Sequence, residues 1–232
     1  NGTTCVITGD GTGGTSAITD SPKTLSEGAN AVTCTGTGHI DFNITIGTAA
    51  AWVDANSGHS WSLASGGACG AATPTSADNV YMDANSFTAG SQVLTVDAAA
   101  NCLSMDWTGA GFTPTLAGTS ALVANANVTL IAAMVYSHTD LQLKGATGTL
   151  TTNGLSLATA ATTVTFRAVG GAFQLADNLT VTYVSYTRGT LTTNNKTINC
   201  TLITDADTDA RGLVLGSSII NCTTWTIGSS TN

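Results

Sequence analysis

Few residues in this chain have the type and spacing to do chemistry, and the acidic ones come first. Asp205, Asp207 and Asp209 occupy alternate positions in Asp205-Ala206-Asp207-Thr208-Asp209. Carboxylates so spaced can offer oxygen ligands to Ca2+. An EF-hand loop wants Gly at its sixth position and Glu at its twelfth; this chain has Ala210 and Gly216 there. The competing reading is a solvated turn. Asp140, Asp177 and Asp207 form a second acidic set, and a converging pair would suit glycoside hydrolysis or polysaccharide cleavage. Against this stand a single glutamate, Glu27, and only six fixed cations, Lys23, Lys144, Arg167, Arg188, Lys196 and Arg211, scattered singly. His39, His59 and His138 lie beside no nucleophile motif such as G-x-S-x-G. They read as turn or surface residues, and the expectation is a protein that is not an enzyme and carries no cofactor beyond Ca2+.

Aromatic side chains offer a different chemistry. Trp52, Trp61, Tyr81 and Tyr186 could stack on sugar rings as a carbohydrate-binding surface; the alternative for the tryptophans is core packing. Tyr183 and Tyr186 fall on opposite faces if strand alternation holds. Six cysteines are present, at positions 5, 34, 69, 102, 200 and 222. None forms a CxxC, and no Cys/His cluster has zinc-ligand spacing. Of the pairings open to six cysteines, a Cys5–Cys34 disulfide is preferred, since both sit mid-strand in one short segment. Seven N-x-S/T sequons begin at Asn1, Asn43, Asn127, Asn178, Asn195, Asn199 and Asn221. They are glycan acceptors in a secreted chain, or the by-product of an Asn- and Thr-rich composition.

The elements that must position these residues are set by one repeat. Leu191-Thr192-Thr193-Asn194-Asn195-Lys196-Thr197-Ile198-Asn199-Cys200-Thr201 recurs 22 residues later, without a gap, as Leu213-Val214-Leu215-Gly216-Ser217-Ser218-Ile219-Ile220-Asn221-Cys222-Thr223. A period near 22, rich in β-branched residues and without helical spacing, predicts coils of a parallel β-solenoid. Leu122–Leu130, Leu150–Leu157 and Phe173–Val181 read as three further copies. The closing apolar residues Leu130, Leu157, Val181, Ile198 and Ile220 are separated by 27, 24, 17 and 22 residues. Asn and Gly mark corners, where left-handed backbone is needed. The repeat places Cys200 and Cys222 at equivalent points of consecutive coils. Stacked, same-facing thiols favour a reduced ladder over a bond.

Upstream, Cys5–Thr8, Ala31–Cys34 and Ile40–Ile46 are strand-like, the last alternating over seven residues. Residues 51–90 read as a long loop with an aromatic plug, followed by strands at Val80, Gln92–Val96 and Cys102–Trp107. Charged residues are 9% of the chain, hydrophobic ones 42%, and the net charge is −8. The chain should therefore fold rather than stay disordered. Unclustered cations argue against nucleic acid, and no run of 18 apolar residues spans a membrane. The expected architecture is all-β: an N-terminal β region over 1–110, then a right-handed parallel β-solenoid of about five coils over 111–232. Its open end is expected to be covered by another subunit or by further chain.

Pro74-Thr75-Ser76-Ala77-Asp78-Asn79-Val80-Tyr81-Met82-Asp83 and Ala100-Asn101-Cys102-Leu103-Ser104-Met105-Asp106-Trp107 resemble segments of uncharacterised β-solenoid proteins of phages, prophages and environmental bacteria. Gly189–Ile198 and Arg211–Ile219 are similar to the same group. Its Trp-rich opening is matched in part, at Trp52-Val53 and Trp61. The resemblance covers about residues 50–232. It implies a structural, virion-associated or surface-displayed fibre protein outside the cell. Open coil ends, as exposed strand edges, carry the expectation of self-association as a trimer or filament, or of joining other appendage subunits. A carbohydrate-binding adhesin is the alternative, and a polysaccharide-degrading β-helix the third reading.

Overall fold

The computed structural model describes residues 5–8, 31–34, 41–44, 49–53, 60–67, 69–159, 161–205 and 209–226, with side chains from Ala50 onward. Contacts divide the chain into two units, 1–39 and 40–232. In the first, β1 (Cys5–Thr8) and β2 (Ala31–Cys34) pair antiparallel, with Cys5 opposite Cys34.

The second unit is a parallel β-solenoid, and the described residues contain no helix. Its strands in chain order begin with β3 (Asp41–Ile44), β4 (Ala49–Ala51), β5 (Trp61–Ser62), β6 (Asn79–Tyr81), β7 (Val93–Val96), β8 (Ala100–Cys102) and β9 (Met105–Asp106). The middle coils carry β10 (Thr115–Gly118), β11 (Leu122–Ala124), β12 (Val128–Thr129), β13 (Val135–His138), β14 (Asp140–Leu143), β15 (Thr147–Thr151) and β16 (Ser156–Leu157). The last coils carry β17 (Thr163–Leu175), β18 (Leu179–Val181), β19 (Tyr183–Thr192), β20 (Ile198–Thr204), β21 (Arg211–Val214) and β22 (Ile220–Thr226).

Each turn contributes to three faces. Face A stacks β3, β6, β9, β12, β15, the second half of β17, the second half of β19, and β21. Face B runs as β4-β7-β10-β13 and then β16-β18-β20-β22. Face C joins β8, β11, β14 and the first halves of β17 and β19 to the second halves of β20 and β22. Successive residues of a strand point to opposite sides of the sheet, so every second residue enters the core. On face A the inward column is Val80, Met105, Val128, Leu150 and Leu175, all buried. On face C it is Ala100, Leu122, Leu141, Val164, Val184, Ile203 and Trp225. One coil cannot bury its apolar side alone; stacking supplies the core.

The 22-residue repeat is the structural register. Leu191 pairs with Leu213, Ile198 with Ile220, Asn199 with Asn221 and Cys200 with Cys222. Other assignments shift. Leu122 lies on face C and pairs with Leu141, so the Leu122–Leu130 segment is not a copy of Leu150–Leu157. Val181 is not the partner of Ile198, which pairs with Leu179. Apolar residues close the core from all three faces, so matching one Leu to the next can slip by a face. The boundary expected between 110 and 111 also falls inside the stack. Thr115 pairs with Val93 and Leu122 with Ala100, so the coils continue from β9 into β10 without a break.

Corners follow the Asn and Gly residues. Asn153, Gly154, Asn194, Asn195 and Gly216 all have positive φ, between 52° and 81°. Gly145 is required for a different reason: a Cβ there would overlap the Asn125 backbone carbonyl of the preceding coil.

Candidate functional site

The two ends of the stack differ, and Trp52 and Trp61 lie at one end and Trp225 at the other. At the first coil, β5 pairs antiparallel with β3, Asn43 opposite Ser62 and Ile44 opposite Trp61. This strand closes the edge of face A. Trp52 and Trp61 are buried, with ring centroids 4.9 Å apart at 71°, and Trp61 Nε1 donates to the Trp52 carbonyl at 2.8 Å. Phe87, on the excursion between β6 and β7, stacks on Trp107 at 5.6 Å. The aromatic segment is thus a cap, and neither tryptophan presents a ring to a sugar. Of the four residues expected to form a carbohydrate platform, Tyr186 is also buried. Tyr81 is at the surface, on face A opposite Asp106. The four are not brought together.

At the last coil, burial falls away. Trp225 continues the inward column of face C below Ile203, yet is 38% exposed. Ile220 and Leu213 pack only partly against the core, and Ile219 and Val214 are 59% and 50% exposed. No described strand pairs with the outer edge of β21 or β22.

The acidic run sits beside this open end. Asp205 follows Thr204, whose partner is Ser185, so it extends the column of Cys102, Ala124, Leu143, Phe166 and Tyr186. It is buried, and its Oδ2 lies 3.1 Å from Arg211 Nε and accepts from the Tyr186 hydroxyl at 3.5 Å. Burial raises the Tyr186 pKa, and the Asp205 charge adds to the rise. Asp209 holds Arg188 at 2.5 Å. Two of the three carboxylates expected to ligate Ca2+ are therefore in ion pairs, and Asp207 lies outside the described residues. No group of three or more His, Cys, Asp or Glu among the described residues could hold a metal ion. Sequence reasoning missed these arginine pairs. Their signal was the Arg-Gly dipeptide written twice, Arg188-Gly189 and Arg211-Gly212, on either side of the acidic run.

Of the second acidic set, Asp207 lies outside the described residues, and Asp140 and Asp177 sit apart. Asp140 opens β14 on face C, where both carboxylate oxygens accept from Gln142 Nε2. Asp177 lies at the corner before β18 and accepts from the Thr152 amide at 2.9 Å, the Thr152 hydroxyl and the Gly154 amide. The histidines divide similarly. His39 and His59 lie outside the described residues. His138 is no surface residue: it is fully buried at an inward position of face B. Its Nε2–H donates to the Ser120 carbonyl at 2.8 Å, and the Tyr136 hydroxyl faces Nδ1 at 3.5 Å. Burial lowers its pKa, against the Ser120 carbonyl and the Asp140 charge, which favour the cation.

Asn1 lies outside the described residues, and five of the other sequon asparagines are coil-to-coil connectors. Oδ1 of Asn127, Asn178 and Asn195 accepts from the amides of Thr149, Thr197 and Ser217 in the next coil, at 3.0, 2.9 and 2.7 Å. Asn221 Nδ2 donates to Asn199 Oδ1 at 2.8 Å. Asn43 lies on β3 opposite Ser62. Cys200 and Cys222 are free thiols at paired positions, Cys102 is free and buried, and Cys69 is exposed. No helix among the described residues is long and apolar enough to cross a membrane. No family model, curated protein or solved structure matches this chain.

Proposed function

We propose that this chain is a non-enzymatic structural module of a virion fibre or similar extracellular appendage. In this reading the open last coil is its joint to a neighbouring subunit. The observation that carries it is where the polar side chains are used. Asn125, Asn153 and Asn194 donate from Nδ2 to the carbonyls of Cys102, Leu130 and Leu175 in the preceding coil, at 2.9, 2.7 and 3.0 Å. Asn127, Asn178 and Asn195 reach the following coil. Thr152 and Thr193, both buried, bond through Oγ1 to the next turn at Asn178 and at Val214 and Leu215. Each such bond contributes about 0.5–1.5 kcal/mol net. They recur along the stack instead of converging on a pocket. Side chains spent in this way suit a rigid spacer.

An unpaired parallel edge invites another strand. Among the described residues no strand pairs with the outer edges of β21 and β22, which, with Trp225 and Ile220 half-covered, present such an edge together with apolar surface. The test is molar mass by light scattering after size exclusion, with negative-stain images of the same fraction. A trimer or a filament is expected. A stable monomer of 23.2 kDa at all concentrations would overturn the reading.

A further inference from the structure

We infer that Cys200 and Cys222 form a two-coordinate site for a soft monovalent cation of the Cu(I) class. The two residues are register partners on adjacent parallel strands, both free and both packed partly against the core. Equivalent side chains on neighbouring strands point the same way, so their sulfurs sit about one strand spacing apart, roughly 4.8 Å. A disulfide needs Cβ atoms about 3.5–4.5 Å apart and a sulfur separation near 2.05 Å, which in-register stacking does not provide. A linear sulfur–metal–sulfur bridge has a comparable span: two bonds of the length that zinc–thiolate bonds show, about 2.3 Å, make roughly 4.6 Å.

The location adds to the geometry. The same inward column begins with Leu157 and Val181, both buried and aliphatic. It turns to cysteine in the last two coils, where the open end admits a cation. Burial, and then the neighbouring Cys222, push the Cys200 thiol up to about 11. Binding breaks both S–H bonds, forms two metal–sulfur bonds and releases two protons to solvent, with no change of oxidation state. Thiolate softness selects Cu(I); among the described residues no group of three or more His, Cys, Asp or Glu offers the further ligands that tetrahedral Zn2+ needs.

Ag(I) is the redox-inert probe. Reduced full-length protein carrying Cys5→Ser and Cys34→Ser, titrated in chloride-free buffer, is expected to bind one ion per chain tightly with release of two protons. X-ray absorption should report two sulfur neighbours. Cys200→Ser and Cys222→Ser should each abolish the tight site while circular dichroism stays unchanged; Cys69→Ser should leave it intact. Tight binding that survives Cys222→Ser, or disappears with Cys69→Ser, would overturn the assignment. So would a dimer bridged by silver through Cys69.

Discussion

The first and last coils are built from the same kind of strand and finish differently. At the first, the chain turns back on itself: β5 runs antiparallel to β3, and Trp52 and Trp61 are fully covered. At the last, Trp225 occupies a core position with no described coil beyond it and is more than a third exposed. The difference teaches what an aromatic residue does in a solenoid. Its place in the stack, and not its ring, decides whether it is core or surface. The open end also carries the inward-facing Asp205–Arg211 pair. Inward charge is one way of blunting an edge. Here it covers the corner between faces C and A and leaves face B apolar at Ile220 and Cys222.

Substitutions can sharpen or break this contrast. Trp61→Ala should cost most, about 3–5 kcal/mol, because it empties a buried site and removes the bond to the Trp52 carbonyl; thermal unfolding would show it. An effect below about 1 kcal/mol would mean that the first coil is not closed as described. Gly145→Ala, in the middle of the stack, should cost about 1–3 kcal/mol through collision with the Asn125 carbonyl, and denaturant midpoints would measure it.

His138 comes next, and its effect depends on pH. Its folded pKa lies below the unfolded value near 6.5, so the unfolded chain takes up the proton first. The associated loss of stability is absent above about pH 6.5 and grows as pH falls below it toward the folded pKa. His138→Gln should flatten that slope between pH 7 and 5 in unfolding titrations. Trp225→Ala should be mildest, about 1 kcal/mol or less, in dilute protein. If a second subunit covers the last coil, the cost should instead rise with protein concentration. Melting curves at two concentrations separate the outcomes.

The fold was legible because its signal is repetition. Leu191 to Leu213 and Cys200 to Cys222 are adjacent in sequence register and in space, so an ungapped offset translates directly into strand pairing. Coils with longer corners hid their register: Leu130 and Leu157 look equivalent by type but sit on different faces. The site was less legible. Composition said that Trp52, Trp61 and Tyr186 were aromatic, but burial depends on what lies above and below each coil. Asp205 and Asp209 read as a solvated turn or as metal ligands from their alternate spacing, and the arginines that hold them escaped notice because they are one residue out of phase with the repeat. Tyr183 and Tyr186 did fall on opposite sides of β19, as period-two alternation requires.

The corner at Asn153-Gly154 has a consequence for how the molecule ages. In a flexible chain, an Asn followed by Gly loses its amide readily, because the glycine nitrogen attacks the asparagine side chain and closes a succinimide. Here that nitrogen donates to Asp177 at 3.3 Å, Asn153 Nδ2 is held by the Leu130 carbonyl at 2.7 Å, and φ is fixed at 52°. The hydrogen bonds that join this coil to its neighbours thus also restrain the ring closure, and intact stacking protects the protein's own covalent structure. Isoaspartate at residue 153 should accumulate only after the coils separate, which makes it a chemical record of past unfolding.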